Sequence, residues 1–230
     1  MTKALIDGDI VTFRAAFTAE EDEEWVAKAR TDDLLDTILA ETGADTFEIW
    51  ISGDENFRYE VFPEYKANRI DSKRPKWEKQ VKAHLVENWN ANVAKGCEAD
   101  DMLGCRQTAT TVICTIDKDL DQIPGDHYNF VKKVRYNVSE KDAYRFFCYQ
   151  LMVGDTADGI KGVPGIGPKK ANKLLDNYPA DEWLSRIRDL YSCDEEFNLN
   201  AKVLWIWRDD HRVCPYLFNR EVNEDHPTIS

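Results

Sequence analysis

The stretch Lys3-Ala-Leu-Ile-Asp-Gly-Asp9 is a short apolar run that ends in carboxylates and leads into a turn. Two later segments repeat this arrangement: Thr46-Phe-Glu-Ile-Trp-Ile51 precedes Asp54, and Thr111-Val-Ile-Cys-Thr-Ile116 precedes Asp117. Short runs rich in β-branched and aromatic residues that stop at Gly, Ser or Asp are typical of buried strands. The sequence therefore predicts several strands that each end beside an acid.

Helical periodicity fills the segments between these strands. Apolar residues recur at helical spacing from Trp25 to Gly43, with Gly43 as the residue that ends the helix, and again after Pro75, which is expected at the first helical position. Residues 98–109 form a third predicted helix, whereas the alternation over residues 57–62 predicts a short edge element. The predicted fold class is α/β, with a mostly parallel central sheet flanked by helices.

The position of three acids has a functional meaning in such a sheet. Open parallel sheets bind ligands beyond the carboxyl ends of their strands. Asp7, Asp54 and Asp117 each lie at or just past a predicted carboxyl end. We therefore expect these three carboxylates to face one crevice.

The character of the chain changes at Ser139. Ser139-x-x-Asp142 is a capping-box pattern that opens a helix ended by Gly154, and helical segments continue to about Val213. We expect three regions: an α/β core over residues 1–138, a helical lobe over residues 139–218 and a polar tail over residues 219–230.

The composition excludes several classes of protein. No segment approaches the roughly 18 consecutive apolar residues of a membrane span, and no secretory signal is present, so we expect a protein with no membrane partner that stays in the cytoplasm. The six cysteines form no C-x-x-C pair, which favours buried free thiols over a disulfide scaffold or a zinc site.

The charge is unevenly distributed along the chain. A net charge of −13 disfavours a nucleic-acid partner unless part of the acid holds metal ions. Seven basic residues nevertheless fall within residues 66–82, against only two acids. They are Lys66, Arg69, Lys73, Arg74, Lys76, Lys79 and Lys82. A basic stripe on an acidic protein indicates a local track for an anion.

Three acidic motifs have ordinary interpretations when each is taken alone. Glu98-Ala-Asp-Asp101 suits the first turn of a helix, and Gly154-Asp-Thr-Ala-Asp-Gly159 suits a solvated turn. Asp117-Lys-Asp-Leu-Asp121 suggests a calcium loop, but Gln122 stands where such a loop needs Gly and Tyr128 where it needs Glu.

The three motifs together favour a metal site. Clustered carboxylates repel one another unless cations neutralise them, and sets of oxygen ligands suit Mg²⁺ or Mn²⁺. Two such ions stabilise both the attacking and the leaving oxygen of a phosphoryl displacement. Hydrolysis of a phosphodiester is the reaction that such a site serves best.

A glycine-rich motif follows the acids. Gly162-Val-Pro-Gly-Ile-Gly-Pro-Lys-Lys-Ala171 has the form of a helix-hairpin-helix turn, expected within residues 154–178. Its glycines let backbone N–H groups approach a phosphate, with Lys169 and Lys170 directly behind. Such a turn holds a duplex by its backbone without reading bases.

Five motifs in register now support a family resemblance. They are Asp7, Pro63-Glu-Tyr-Lys-Ala-Asn-Arg69, Glu98-Ala-Asp-Asp101, Thr115-Ile-Asp-Lys-Asp119 and Gly154-Asp-x-x-Asp-Gly-Ile-x-Gly-Val-Pro-Gly-Ile-Gly167. In this order they resemble the 5′-nuclease family over about residues 3–178. The resemblance is strongest to the bacteriophage 5′→3′ exonucleases and flap endonucleases and to the 5′-nuclease domain of bacterial DNA polymerase I.

The resemblance implies a PIN-like 5′-nuclease fold with a helix-hairpin-helix lobe, and an active site that uses Mg²⁺, for which Mn²⁺ substitutes. The implied ligands of the first ion are Asp7, Asp54, Glu98 and Asp100, and those of the second are Asp117, Asp119, Asp155 and Asp158. Asp101 is implied to bridge the ions or to lie behind the ligands.

The resemblance also implies DNA contacts. Lys66 and Arg69 match a catalytic basic pair that meets the scissile phosphate at the base of an arch over about residues 63–95. Tyr65 either stacks on an unpaired base or packs in the core. The other implied contacts are Lys73, Arg74 and Lys76 in the arch, and Gly162, Gly165, Gly167, Lys169 and Lys170 at the hairpin, where a K⁺ ion would sit.

The expected partner is DNA with a 5′ end, a flap or a nick, bound by a monomer in the cytoplasm, which is the host cytoplasm if a phage encodes the chain. Two alternatives remain open. One is a catalytically weak protein of the same fold that binds DNA structures, and the other is a PIN-like ribonuclease. The helix-hairpin-helix motif argues against the second alternative, because such ribonucleases generally lack it.

Overall fold

The computed structural model describes residues 1–208 and 212–218, so the polar tail predicted over residues 219–230 lies outside the described residues. Within these residues the main sheet has six strands: β1 (Lys3–Asp7), β2 (Thr46–Ser52), β3 (Asn92–Ala94), β4 (Thr111–Cys114), β5 (Gly125–Asn129) and β6 (Val134–Val138). Their order is β3-β2-β1-β4-β5-β6, and only the β5–β6 pair is antiparallel. The mostly parallel sheet is therefore confirmed.

Nine α-helices occur among the described residues. They are α1 (Gly8–Thr18), α2 (Glu24–Thr42), α3 (Phe57–Val61), α4 (Glu78–Trp89), α5 (Ala99–Arg106), α6 (Glu140–Val153), α7 (Pro168–Asn177), α8 (Ala180–Arg188) and α9 (Asp194–Leu204). A short antiparallel hairpin of β7 (Gly154–Asp155) and β8 (Ile160–Lys161) separates α6 from α7. The described residues contain no helix long and apolar enough to cross a membrane.

Both faces of the sheet are covered. Along β1, Ala4 and Ile6 pack into the core that contains residues of α1, α2 and α4, whereas Leu5 packs into the opposite core with Leu103 of α5. This alternation is the period of two expected for a strand. A third core holds α6 to α9 together as the helical lobe.

Several local predictions were wrong. Residues 57–62 contain α3, because the Asn56 side chain accepts the Arg58 N–H and caps a helix there. Pro75 precedes α4 by a turn instead of occupying its first position. Helix α1 was not predicted because Gly8 favours a turn, yet the Asp7 side chain accepts the Ile10 N–H and starts the helix.

The glycine at position 8 is also required by packing. A Cβ atom there would lie 2.5 Å from Ile51 Cγ2 and 2.7 Å from the Trp50 carbonyl oxygen. Helix α1 therefore starts in close contact with β2, and Asp7 and Asp9 on either side of Gly8 are held at the carboxyl edge of the sheet.

The basic arch predicted over residues 63–95 is shorter in the structure. Val81 and Leu85 of α4 are fully buried, and β3 is an edge strand of the main sheet. Only residues 62–77 lie between α3 and α4, and this segment, which we call the strap, contains one 3-10 turn, Ala67–Arg69. Burial of two apolar side chains stabilises α4 against the core instead of leaving it to span a passage.

The cysteine prediction agrees with the structure. The six cysteines all lie within the described residues and form no disulfide; Cys97, Cys114, Cys148 and Cys214 are buried, Cys105 is half-buried and Cys193 is exposed.

Candidate metal and nucleic-acid site

The first part of the site lies at the carboxyl ends of β1 and β4. The Asp7 carboxylate accepts a hydrogen bond of 2.7 Å from Thr115 Oγ1, and the same hydroxyl oxygen accepts the Asp117 N–H at 3.0 Å. Burial, followed by the nearby charge of Asp9, raises the pKa of Asp7 to about 7 against the hydrogen bonds that lower it. The predicted convergence of Asp7 and Asp117 is thus present.

Asp100 joins this group from the first turn of α5. Burial raises its pKa well above the usual range of a carboxyl, and the charges of Asp7 and Asp117 raise it further. A carboxylate that loses water without gaining enough positive charge is poorly stabilised. A cation at this point would relieve the repulsion.

The second part of the site lies at the 3-10 turn Lys118–Gln122. The Asp117 side chain caps this turn by accepting the Asp119 N–H at 2.9 Å. Burial, Asp117 and Asp155 together raise the pKa of Asp119 to about 8. The hairpin after α6 brings Asp155 to the core domain, and the Asp155 carboxylate accepts the Ala157 N–H at 2.8 Å.

Asp101 has a different role from its neighbours. It is fully buried, and Arg58 binds it through two hydrogen bonds of 2.6 and 2.9 Å. Its oxygens also accept the N–H groups of Glu98 and Trp207, at 3.0 and 3.1 Å. Arg58 in turn donates to the carbonyls of Val203 and Trp205. With four donors on two oxygens, Asp101 ties α3 and α5 to the segment after α9 and has no orientation left for a metal.

This arrangement makes a stability prediction. Asp101→Asn removes the partner charge of the buried Arg58, and we expect the free energy of unfolding to fall by about 3–5 kcal/mol. Urea denaturation measures the loss, and Mn²⁺ titration of the remaining folded protein should give the wild-type affinity. An unchanged unfolding free energy together with lost Mn²⁺ binding would show instead that Asp101 is a ligand.

Glu98 and Asp158 are surrounded by basic partners. Lys66 Nζ makes a close ion pair with Glu98 and lies 3.8 Å from Asp158. Arg69 makes a close ion pair with Asp158 and donates to the Ala157 carbonyl at 2.8 Å. Burial would raise the pKa of Glu98, but Lys66 and Arg58 outweigh it and hold the pKa below its usual value. For Asp158 the balance is the reverse: burial raises its pKa, and Lys66, Tyr65 and Arg69 offset this only in part. Both acids hold the basic pair in place.

Tyr65 packs instead of presenting its ring. It is 3% exposed within the core of the helical lobe, and its hydroxyl lies 2.8 Å from Glu98 and 2.7 Å from Asp158. A ring buried in this way offers no face to an unpaired base, so the structure contradicts the stacking interpretation. Of the two readings of Tyr65, the packing aromatic is the correct one.

The distal part of the strap is held separately. Lys73 Nζ lies 2.7 Å from a Glu20 oxygen, and the Lys76 N–H donates to the other Glu20 oxygen at 3.1 Å. Arg74 pairs with Glu78 at 3.0 Å. The side chains of Lys73 and Arg74 therefore already have acidic partners, in contacts that water and salt weaken.

The glycines of the helix-hairpin-helix turn differ in their roles. Gly162 is structural, because a Cβ atom there would lie 2.3 Å from the Met152 carbonyl oxygen. Gly165 has φ +75° and Gly167 caps α7, and both face open space. Lys169 and Lys170 are exposed at the start of α7. The turn therefore presents an accessible helix N-terminus with cations beside it.

Three contributors to the site were not predicted from the sequence. Asp9 accepts the Ser52 N–H at 3.0 Å, lies 3.0 Å from Lys82 Nζ and raises the pKa of Asp7. Its place in Asp7-Gly-Asp9 was the available signal. Arg58 and Gln150, which donates to Asp119, lie outside every motif and could not have been found by pattern.

Asp54 lies two residues past β2 with an exposed side chain and, among the described contacts, has no hydrogen bond or ion pair. Its role as a ligand therefore stays a prediction.

The donor set fits a divalent cation in its chemistry. Asp7, Asp100, Asp117, Asp119 and Asp155 offer carboxylate oxygens, the ligands that Mg²⁺ and Mn²⁺ prefer. No three His, Cys, Asp or Glu side chains of the described residues are grouped as a ready-made site. Mg²⁺ does not need one, because it keeps several waters and binds through one or two carboxylates.

Comparisons with known proteins agree with this geometry. Residues 2–147 match the family described as 5′-3′ exonuclease, N-terminal resolvase-like domain. DNA polymerase I of Chloroflexus aurantiacus is 28% identical over 206 residues, which cover 76% of this chain and 22% of the polymerase. Flap endonuclease Xni of Shewanella pealeana is 28% identical over 147 residues, which cover 56% of this chain and 57% of that protein.

A solved structure shares the fold. The bacteriophage T5 flap endonuclease, in complex with DNA and metal ions, superposes with a TM-score of 0.62 at 20% identity, covering 89% of this chain and 86% of that one.

The fold and the acidic crevice define a protein of the PIN/5′-nuclease fold. The match over residues 2–147 adds the family: the chain belongs to the 5′-3′ exonuclease family. It spans a small part of the polymerase and little more than half of the flap endonuclease named above.

Proposed function

We propose that this protein is a divalent-metal-dependent 5′ nuclease that hydrolyses phosphodiesters of DNA. The observation that carries the proposal is the convergence of Asp7, Asp100, Asp117 and Asp119 at one sheet edge, where burial and mutual repulsion raise three of their pKa values. The basic side chains of the described residues do not neutralise the negative charge of these carboxylates. Membership of the 5′-3′ exonuclease family supports the same conclusion.

The metal would be Mg²⁺, with Mn²⁺ as a substitute. Asp7, Asp100 and Asp117 would hold one ion at the end of β1. Asp119 and Asp155, together with Asp117, would hold a second ion beside the β7–β8 hairpin. When bound, the metal supplies a Lewis acid for the phosphoryl group and lowers the pKa of a bound water. The T5 enzyme bound to DNA and metal ions is a precedent in the same fold.

The cationic side chains would bind the phosphate. Lys66 and Arg69 form ion pairs with Glu98 and Asp158, next to the carboxylates that would hold the metal. A phosphodiester bound to that metal would therefore contact both cations. Their charge would stabilise the extra negative charge of the transition state. Glu98 and Asp158 would keep both side chains in place before the DNA arrives.

The open N-terminus of α7, at Gly165 and Gly167, would hold the duplex backbone, with Lys169 and Lys170 adding sequence-independent attraction. A K⁺ ion at this turn is part of the proposal, as are a monomeric state and a cytoplasmic location.

A cleavage assay tests the function. The purified chain is incubated with a 5′ flap, a recessed 5′ end, a nick and an RNA–DNA hybrid, each labelled at the 5′ end, with Mg²⁺ or with EDTA. We expect short 5′ products from DNA with Mg²⁺ and none with EDTA. Binding without cleavage would favour the catalytically weak DNA-binding protein, and cleavage of RNA alone would favour the PIN-like ribonuclease.

The raised pKa values predict how stability depends on pH. Between the unfolded pKa of 3.8 and folded values of about 7 for Asp7 and about 8 for Asp119, the folded protein binds more protons than the unfolded chain. Stability therefore falls as the pH rises, by up to about 1.4 kcal/mol per pH unit for each proton. We expect the urea midpoint of the metal-free protein to fall between about pH 6.5 and pH 8.

The window from about pH 6.5 to pH 8 lies above the range in which His127 changes the stability in the opposite direction. Burial lowers the pKa of His127 below 6.5, so its contribution rises with pH and is complete above that value. Mg²⁺ replaces the protons on the acids and should flatten the slope, and Asp119→Asn should remove part of it. A midpoint that rises over this window without metal, or a slope unaffected by Mg²⁺, would contradict the metal site.

A further inference from the structure

A chain of buried amides reaches the candidate metal site from the helical lobe. Gln150 of α6 donates from Nε2 to Asp119 Oδ1 at 3.0 Å, and Gln122 Nε2 donates to Gln150 Oε1 at 2.7 Å. Both glutamines are buried, at 4% and 1% exposure. We propose that Gln150 is a positioning residue that fixes the Asp119 carboxylate for the metal, and that Gln122 fixes the orientation of Gln150.

The direction of these hydrogen bonds is set by the backbone at the C-terminal end of α9. Gln122 Nε2 donates to the Leu204 carbonyl at 2.7 Å, and Gln122 Oε1 accepts the Ile206 N–H at 3.3 Å. A carbonyl only accepts and an N–H only donates, so the Gln122 amide has one satisfactory orientation. Its second N–H then points to Gln150, whose oxygen must face Gln122.

The consequence falls on Asp119. With its oxygen turned to Gln122, Gln150 presents only N–H groups to the carboxylate, and a flipped amide would place two acceptors against each other. One oxygen of Asp119 is thereby held, while the carboxylate lies within hydrogen-bond reach of Asp155 and close to the charge of Asp117. Hydrogen bonds behind a metal ligand fix its direction, and their loss typically weakens metal binding roughly 10–100-fold.

The inference rests on the proposed metal-dependent function, and metal binding without DNA tests it. Isothermal titration calorimetry with Mn²⁺ is performed on the full chain and on Gln150→Met, which keeps the length of the side chain but donates no hydrogen bond. We expect about tenfold weaker binding to the variant. Gln122→Met leaves Gln150 in place but free to turn, and we expect a smaller loss.

Gln107→Met is the matched control. Gln107 Nε2 donates to the Asp126 carbonyl and its Oε1 accepts from Thr111, so this variant also loses hydrogen bonds, but at the other end of the sheet. Its urea midpoint should fall while its Mn²⁺ affinity stays at the wild-type value.

The outcomes separate the two proposals. A wild-type chain that binds no Mn²⁺ would overturn the proposed function and this inference with it. A wild-type chain that binds Mn²⁺, with Gln150→Met binding equally well, would overturn only the inference and show that the amide chain is structural. Should Gln150→Met fail to fold, Gln122→Met with unchanged affinity would overturn it in the same way.

Discussion

Asp117→Asn is expected to lower the rate of DNA cleavage by roughly 10³-fold or more, a loss of about 4 kcal/mol in transition-state stabilisation. Asp117 faces both halves of the acidic site, since its charge raises the pKa values of Asp100 and Asp119. Asn caps a turn about as well as Asp, so the hydrogen bond to the Asp119 N–H should survive. The substitution therefore removes the charge and keeps the fold.

Cleavage of a 5′-flap DNA under single-turnover conditions measures the rate, and fluorescence anisotropy in EDTA measures binding. Affinity for DNA should stay within a few-fold of wild type, because phosphate contacts elsewhere dominate it. Asp121→Asn is the control in the same 3-10 turn, since Asp121 accepts from Tyr136 instead of facing the other acids. Equal losses of rate in the two variants would contradict the assignment of Asp117.

Lys66→Met should slow cleavage by roughly 10²-fold while weakening DNA binding much less. Lys66 is held in the left-handed region, at φ 56°, and it is the cation that the structure places between Glu98 and Asp158. A backbone strained in this way persists where surrounding contacts fix it. A cation fixed before the substrate arrives contributes most to the transition state, because no reorganisation is needed when charge develops.

Lys76→Met is the matched control for that variant. Lys76 is an exposed cation of the same strap, with its ammonium over the Trp77 ring at 4.2 Å. We expect its loss to weaken binding slightly and to lower the salt dependence of affinity, with the rate at saturating DNA unchanged. If Lys66→Met lowers affinity and rate in equal proportion, Lys66 is a simple phosphate contact.

The structure divides the acids into two groups. Asp101, Glu98 and Asp158 have basic partners, namely Arg58, Lys66 and Arg69, and they hold elements together. Asp7, Asp100 and Asp119 form no ion pair within the described part of the chain, and their pKa values rise. We propose that the metal binds among the second group together with Asp117 and Asp155, whereas the roles of Glu98 and Asp158 as ligands stay predictions.

The sequence by itself determined the sheet and the location of the crevice. Apolar runs that end in Asp7 and Asp117 predicted strands whose carboxyl ends coincide, and parallel pairing makes these ends neighbours. The capping box at Ser139 and the glycine turn before α7 could likewise be predicted from the sequence, because local hydrogen bonds and positive φ angles depend on adjacent residues.

Only the tertiary structure decided which role each side chain takes. Asp100 and Asp101 are adjacent in sequence, yet one faces other acids and the other faces Arg58, 43 residues away. Tyr65 lies inside the lobe, and Gln150 reaches Asp119 from α6. A pattern in the sequence reports which elements form. The partner of a charge, and with it the pKa and the chemistry, depends on contacts between residues far apart in the chain.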